Sequence, residues 1–167
     1  SDINDELILE HKNNKKLMPF LHLPVQSGSN KILKKMNRKY SKETYIDLVN
    51  KIKFKVKNMA FSSDFIVGYP GETDNDFQET LELIDKVNFA SSYSFKYSPR
   101  LGTPASLIKD QIDESILDKR LNKIQKILNN QQKIFNETFL DKEVDVLFTN
   151  FGKKTNQYVG RTPFLQP

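Results

Sequence analysis

The sequence predicts an α/β fold built on a parallel sheet, followed by the opening of a small β structure. Three observations predict it. Short apolar runs that end in Gly, Pro or Ser turns alternate three times with capped amphipathic stretches, the pattern of strands joined by helical crossovers. Phe65-Ile66-Val67 has the unbroken apolar character of a strand covered on both faces, and it stops at Gly68-Tyr69-Pro70-Gly71. Near residue 138 the helical period gives way to the alternation Val144-Asp145-Val146-Leu147-Phe148, that of a half-exposed strand.

The elements follow in order. Residues 5–12 are expected to be helical, with Leu7, Ile8 and Leu9 as an apolar patch, and Met18 to Gln26 reads as a strand ending at Pro24. Ser29, after the turn Ser27-Gly28, can cap a short basic helix to about Met36, and Ser41 can cap a longer one from Lys42 to about Phe54. Lys51 to Lys57 also alternates, so a strand competes there with the helix end. A second strand is expected from Phe61 to Val67. Thr73 then caps a helix over 73–87, with Phe77, Leu81 and Ile84 on one face. A third strand spans Ser92 to Tyr97. From Asp113 to about Thr138, Leu117, Leu121, Ile124, Leu128 and Phe135 trace one side of a long helix. The turn Asn150 to Lys154 and a strand at Tyr158-Val159 complete a hairpin, too short to close a barrel alone.

Composition narrows the chemistry. No apolar run approaches the ~18 residues of a membrane span, and no signal-peptide pattern opens the chain. Zero cysteines exclude disulfides and any thiolate-held metal or cluster within these residues. The formal charge is +5, and six cations without an acid lie between Lys31 and Lys42. Such a patch suits a polyanion through counterion release, or is simply a solvated lysine face. Against 22 lysines the four arginines mark positions where a planar, forked donor is wanted: Arg38, Arg100 and Arg161 sit in turn-rich surroundings, whereas Arg120 falls on a helix and is expected at the surface. His22, between two leucines of an expected buried strand, reads as a core histidine with its nitrogens satisfied rather than as a ligand. No Ser-His-Asp spacing or histidine–carboxylate metal spacing is evident in the sequence.

Three strand ends then align: His22 to Ser29, Ser63 to Thr73, and Phe95 to Ala105, with Lys35-Met36-Asn37-Arg38 between the first two. In this order, over nearly the whole chain, they resemble the radical S-adenosylmethionine methylthiotransferases, in the bacterial-type branch that methylthiolates isopentenylated adenosine beside the tRNA anticodon. The resemblance implies the carboxyl-terminal half of a partial (β/α)6 radical SAM barrel with a linker helix over 1–138, followed over 139–167 by an incomplete TRAM domain, a small tRNA-gripping β-barrel. It implies S-adenosyl-L-methionine and 4Fe-4S clusters as cofactors. The family's cysteine motifs have no counterpart here, so the chain is expected to be inactive alone, to bind no iron and to lack the amino-terminal half of its polypeptide. A cytoplasmic enzyme is implied, with a tRNA anticodon stem-loop as partner and no indication of the sulfur donor.

By the same resemblance, Gln26, Ser27, Asp64, Ile66, Gly68, Glu72, Tyr97 and Arg100 would face S-adenosylmethionine. Neutral amide and hydroxyl groups suit its ribose and amino-acid parts, and a guanidinium suits a carboxylate or phosphate. Structural roles compete: Asp64 can fix a turn, Glu72 can serve the following helix amino terminus, and Tyr97 can belong to the core. Lys34, Lys35, Arg38 and Lys39 near Tyr40, and Lys153, Lys154 and Arg161 near Tyr158, combine cations with aromatic faces, as recognition of single-stranded loops requires. Two other readings are the ribosomal-protein aspartate methylthiotransferase branch and a clusterless RNA-binding relative.

Overall fold

The computed structural model describes residues 3–100, 102–108 and 110–166. Helix α1 (Asp5–Asn13) precedes strand β1 (Phe20–His22). Helices α2 (Asn30–Lys35) and α3 (Lys42–Lys55) lead to β2 (Ala60–Val67), and α4 (Asp74–Val87) leads to β3 (Ser91–Lys96). A 3-10 turn at Pro104–Leu107 and the 24-residue helix α5 (Glu114–Glu137) then lead to β4 (Leu147–Phe151) and β5 (Tyr158–Arg161). Strands β1, β2 and β3 form a parallel sheet in that order, and β4 and β5 form a separate antiparallel pair. The α/β class and the parallel sheet are as expected.

Alternation along the strands divides the sheet into two faces. Leu23, Val25, Phe61, Phe65 and Val67 face the helices and pack with Tyr45, Val49 and Ile52 of α3, Phe77, Leu81 and Ile84 of α4, and Ile124 and Leu128 of α5. Burying a large apolar side chain in this way stabilises the fold by roughly 1.5–3 kcal/mol. The opposite face carries Ser62, Asp64 and Ile66 of β2 beside their partners Ser91, Tyr93 and Phe95 of β3. Tyr93 and Phe95 are exposed there, so this side of the sheet is open, and the cover on both faces expected for Phe65-Ile66-Val67 is present on the helix side alone.

The caps form at the expected residues. Ser29, Ser41 and Thr73 each accept a backbone amide at the start of α2, α3 and α4, and Ser41 and Thr73 make reciprocal capping boxes. Lys51 to Lys55 is helical: Ile52 joins Tyr45 and Val49 on the buried side of α3, and Phe54 is left exposed.

Five further expectations need correction. The strand expected over Met18–Gln26 contracts to Phe20–His22. The pairing offset with β2 falls from 40 at Phe20↔Ala60 to 39 at the Gln26↔Phe65 bridge, so one extra residue bulges out around Pro24, which has no amide to donate. In α1 only Ile8 is buried, and Leu7 and Leu9 remain exposed. The strand expected over Val144–Phe148 lies at Leu147–Phe151, takes in the expected turn residues Asn150 and Phe151, and is exposed throughout. His22 is exposed, because its alternation puts it on the open face. Arg120 is buried, because α5 turns that side towards the β2–α4 loop.

Candidate functional site

The carboxyl ends of the three parallel strands meet around a cavity of about 630 Å³ on the open face, within the size range of small-molecule sites. Five of the eight residues expected to face a cofactor line it: Gln26, Asp64, Ile66, Tyr97 and Arg100. Gln26 has the least ordinary backbone of these. Its φ is +74°, a left-handed conformation that costs a non-glycine residue about 1 kcal/mol or more. The neighbouring strand holds it there: the Gln26 amide donates to the Asp64 carbonyl (2.9 Å), and its carbonyl accepts from the Ile66 amide (2.9 Å). The bulge at Pro24 and this left-handed residue turn the Gln26 side chain to the cavity, although the residue is 9% exposed.

Asp64 and Ile66 reach the cavity by the period of two, and Tyr97 extends the third strand by donating its amide to the Val67 carbonyl (2.8 Å). The Tyr97 ring lies edge-on to Tyr69 at 5.2 Å, and its buried hydroxyl has no hydrogen-bond partner among the described residues. Arg100 starts a turn whose carbonyl accepts from both the amide and the hydroxyl of Thr103 (3.1 and 2.7 Å). Thr103 and Ala105 complete that wall, and Arg38 enters from the α2–α3 turn. Sequence reasoning missed Phe95 as a lining residue, although the alternation Tyr93, Phe95, Tyr97 carries that signal.

The other three residues lie elsewhere. Ser27 is fully buried, with its hydroxyl 3.3 Å from that of Thr80 and accepting the Ser29 amide (3.1 Å). Gly68, at φ +77°, lies so close to α5 that a Cβ would overlap Cδ2 of Leu117. The Glu72 carboxylate accepts the Gly68 amide (2.9 Å) and Nη1 of Arg120 (2.7 Å). Burial pushes the Glu72 carboxyl up from its usual range, against the opposing pull of the Gly68 amide and the Arg120 guanidinium. Arg120 also donates to Asp74 (2.8 Å) and lies over the Phe77 ring. This buried network braces the loop from behind and does not line the cavity.

Asp76 is a support that sequence reasoning missed, although its place three residues after Thr73 carries the capping-box signal. It accepts from the Ser29 hydroxyl (2.7 Å), Lys31 (2.7 Å), and the amide and hydroxyl of Thr73 (2.8 and 2.7 Å). Burial alone would raise its pKa. Lys31 and the Thr73 and Ser29 donors overcome that and hold it far below the usual carboxylate range.

The basic run divides in two. Lys31 pairs with Asp76, Lys42 with Glu79 (2.8 Å), and Lys35 donates to the Pro70 carbonyl (3.3 Å). Lys34, Arg38 and Lys39 are exposed, without an ion pair among the described residues. At the other end of the chain Lys153 and Lys154 are exposed in the β4–β5 turn. Arg161 donates to the Leu165 carbonyl (3.1 Å) and lines a second cavity, of about 390 Å³, with His22, Tyr93, Phe135 and Phe164. The open face also assembles a cluster invisible in the sequence spacing: His22 Nδ1 lies 2.7 Å from the Ser62 hydroxyl, and Nε2 lies 3.6 Å from Asp64.

Residues 1–84 match the family described as the Radical SAM superfamily. Over 99% of its length the chain is 51% identical to the tRNA-2-methylthio-N(6)-dimethylallyladenosine synthase of Rickettsia typhi (strain ATCC VR-144 / Wilmington), covering 37% of that protein. It is 49% identical to the protein of the same name from Wolbachia pipientis wMel, again over 99% of this chain and 38% of the relative. The chain therefore spans well under half the length of these relatives.

Proposed function

The chain belongs to the radical SAM superfamily, and from that premise we propose that it is part of a cytoplasmic enzyme that methylthiolates isopentenylated adenosine beside the tRNA anticodon. The observation that carries this reading is the near-50% identity, over 99% of the chain, to relatives named for that modified nucleoside. The cavity at the carboxyl ends of the parallel strands supports it, since that is where α/β folds receive ligands.

The donor set divides the cofactors. The chain has no cysteine, and no metal-holding group of His, Asp or Glu occurs among the described residues. These residues do not fit a 4Fe-4S cluster, so in such an enzyme the thiolates lie outside them.

The cavity does fit S-adenosylmethionine, because Ile66, Phe95 and Ala105 offer an apolar wall beside the amide of Gln26 and the carboxylate of Asp64. Bound there, S-adenosylmethionine would supply the methyl group and the one-electron chemistry. Ile66 and Phe95 pack against a purine ring. Asp64 accepts from ribose hydroxyls, and Gln26 donates and accepts without adding charge. The strained backbone of Gln26 presets that amide, so little reorganisation is needed on binding. Three parallel strands and their helices then form part of a partial radical SAM barrel, with the open face as its interior. The hairpin β4–β5 begins a TRAM barrel whose Lys153, Lys154 and Arg161 approach RNA phosphates.

A chimera tests this. The chain replaces the matching stretch of the Rickettsia typhi relative, and tRNA from cells depending on the chimera is digested and analysed by mass spectrometry. Methylthiolated isopentenyladenosine in the digest is the expected result. Its absence, with the chimera folded, its clusters loaded and the parent enzyme active in the same cells, refutes the reading.

A further inference from the structure

Two of the four arginines, Arg38 and Arg100, come from different turns, 62 residues apart in sequence, and line the same cavity. The other two are engaged: Arg120 with Glu72 and Asp74, and Arg161 with the Leu165 carbonyl. Arg38 and Arg100 have no side-chain hydrogen bond or ion pair among the described residues. Both backbones are held firmly. The Arg38 amide donates to the Leu33 carbonyl (2.9 Å) after a left-handed Asn37, and the Arg100 carbonyl takes two bonds from Thr103. Among the described residues Asp64 is the one carboxylate lining the cavity, and Lys96, also on its wall, pairs with Glu114 and Asp118.

The geometry points to Arg38 and Arg100 as a two-armed clamp for an RNA phosphate at the cavity mouth, beside the nucleotide whose base enters. This rests on the proposed function and deepens it by assigning the residues that seat the RNA. A guanidinium grips a phosphate with two parallel donors, and two such forks hold a phosphodiester from both sides. The sulfonium cofactor offers a single carboxylate, which one fork satisfies. Exposed Lys34 and Lys39, close to Arg38 in sequence and without an ion pair among the described residues, add positive charge that suits an extended polyanion. A base must leave its stack to enter the cavity, and gripping the adjacent phosphate keeps the displaced nucleotide in place.

The test uses the full chain with two probes: a synthetic RNA stem-loop with a single-stranded loop, and S-adenosylhomocysteine, which carries the carboxylate. Both arginines are exposed, so substitution leaves the fold intact, and thermal melting checks this. R38Q and R100Q are expected to weaken RNA binding by about tenfold each. The double variant R38Q/R100Q lowers the slope of log affinity against log salt by about 0.7, the value for the one single-strand phosphate that the two arms share. R38K and R100K keep the salt slope but lose affinity, because charge survives and the fork does not. S-adenosylhomocysteine binding stays unchanged throughout. Unchanged RNA affinity and slope in the glutamine variants overturn the clamp, and a selective loss of S-adenosylhomocysteine binding assigns the arginines to a carboxylate. If the unsubstituted chain fails to bind the stem-loop at all, the RNA reading falls with the clamp. Binding that is indifferent to these arginines removes only the clamp.

Discussion

Gln26 and Gly68 both have positive φ, for different reasons. Gln26 keeps a side chain at a backbone angle that disfavours one, because the strand beside it fixes its amide and carbonyl, and it lines the cavity from there. Gly68 has no side chain because α5 leaves no room for one: Leu117 fills the space where a Cβ would stand. Gly68→Ala therefore combines a left-handed penalty with overpacking, together about 2–4 kcal/mol. A fall of that size in urea unfolding is the expected result, and a loss under 1 kcal/mol would show that α5 yields easily. The Glu72–Arg120 pair behind this glycine is almost dry, with side-chain exposures of 1% and 7%; loss of Arg120 would leave the buried Glu72 carboxylate without its cation, whereas Arg120 without Glu72 keeps Asp74.

At the scale of elements, Asp76 joins the Ser29 cap of α2 to the first turn of α4, gathering four donors on one buried carboxylate. Its pKa in the folded chain lies below that in the unfolded chain, so its contribution is complete above the unfolded value of about 3.9. That contribution fades as pH falls below about 4 towards the folded value. Asp76→Asn is expected to cost about 2 kcal/mol at neutral pH and to flatten the decline in stability between about pH 5 and pH 2. Melting curves across that range check it, and an unaltered acid limb would place the acid sensitivity elsewhere. Helix α5 reaches further along the molecule. Leu117 and Arg120 brace the β2–α4 loop, Gln131 accepts the Phe89 amide and donates to the Ile84 carbonyl, and Phe135 packs edge-to-face with Phe139 and Phe164 of the tail.

Across the whole molecule, one side of the sheet is sealed by helices and the other is open. Tyr93 and Phe95 are 62% and 53% exposed, and β1 and β3 each end the sheet with an unpaired edge among the described residues. Exposed aromatic surface next to a free strand edge favours association. Sedimentation of the isolated chain is expected to show concentration-dependent self-association, reduced in a Tyr93→Ser, Phe95→Ser double variant. A monomer at all concentrations would mean that this face is tolerated in water. Among the described residues no helix is long and apolar enough to cross a membrane.

Local rules were enough for much of this architecture. Ser29, Ser41 and Thr73 announce helix starts because a cap is a contact between residues three apart, and Phe65-Ile66-Val67 announces a strand because its pattern is local. The resemblance of the strand-end motifs named Gln26, Asp64, Ile66, Tyr97 and Arg100, and the fold brings these five to one cavity. Local rules could not distinguish Gln26 from Ser27, adjacent in the same motif, since a bulge and one backbone angle send the first to the cavity and the second into the core. Nor could they separate the lysines that pair with α4 from those left free, foresee a buried Arg120, or bring His22 to Ser62 and Asp64. Each of those outcomes joins residues 40 or so positions apart, and the partner of a long charged side chain is decided only when packing brings a distant carboxylate within reach.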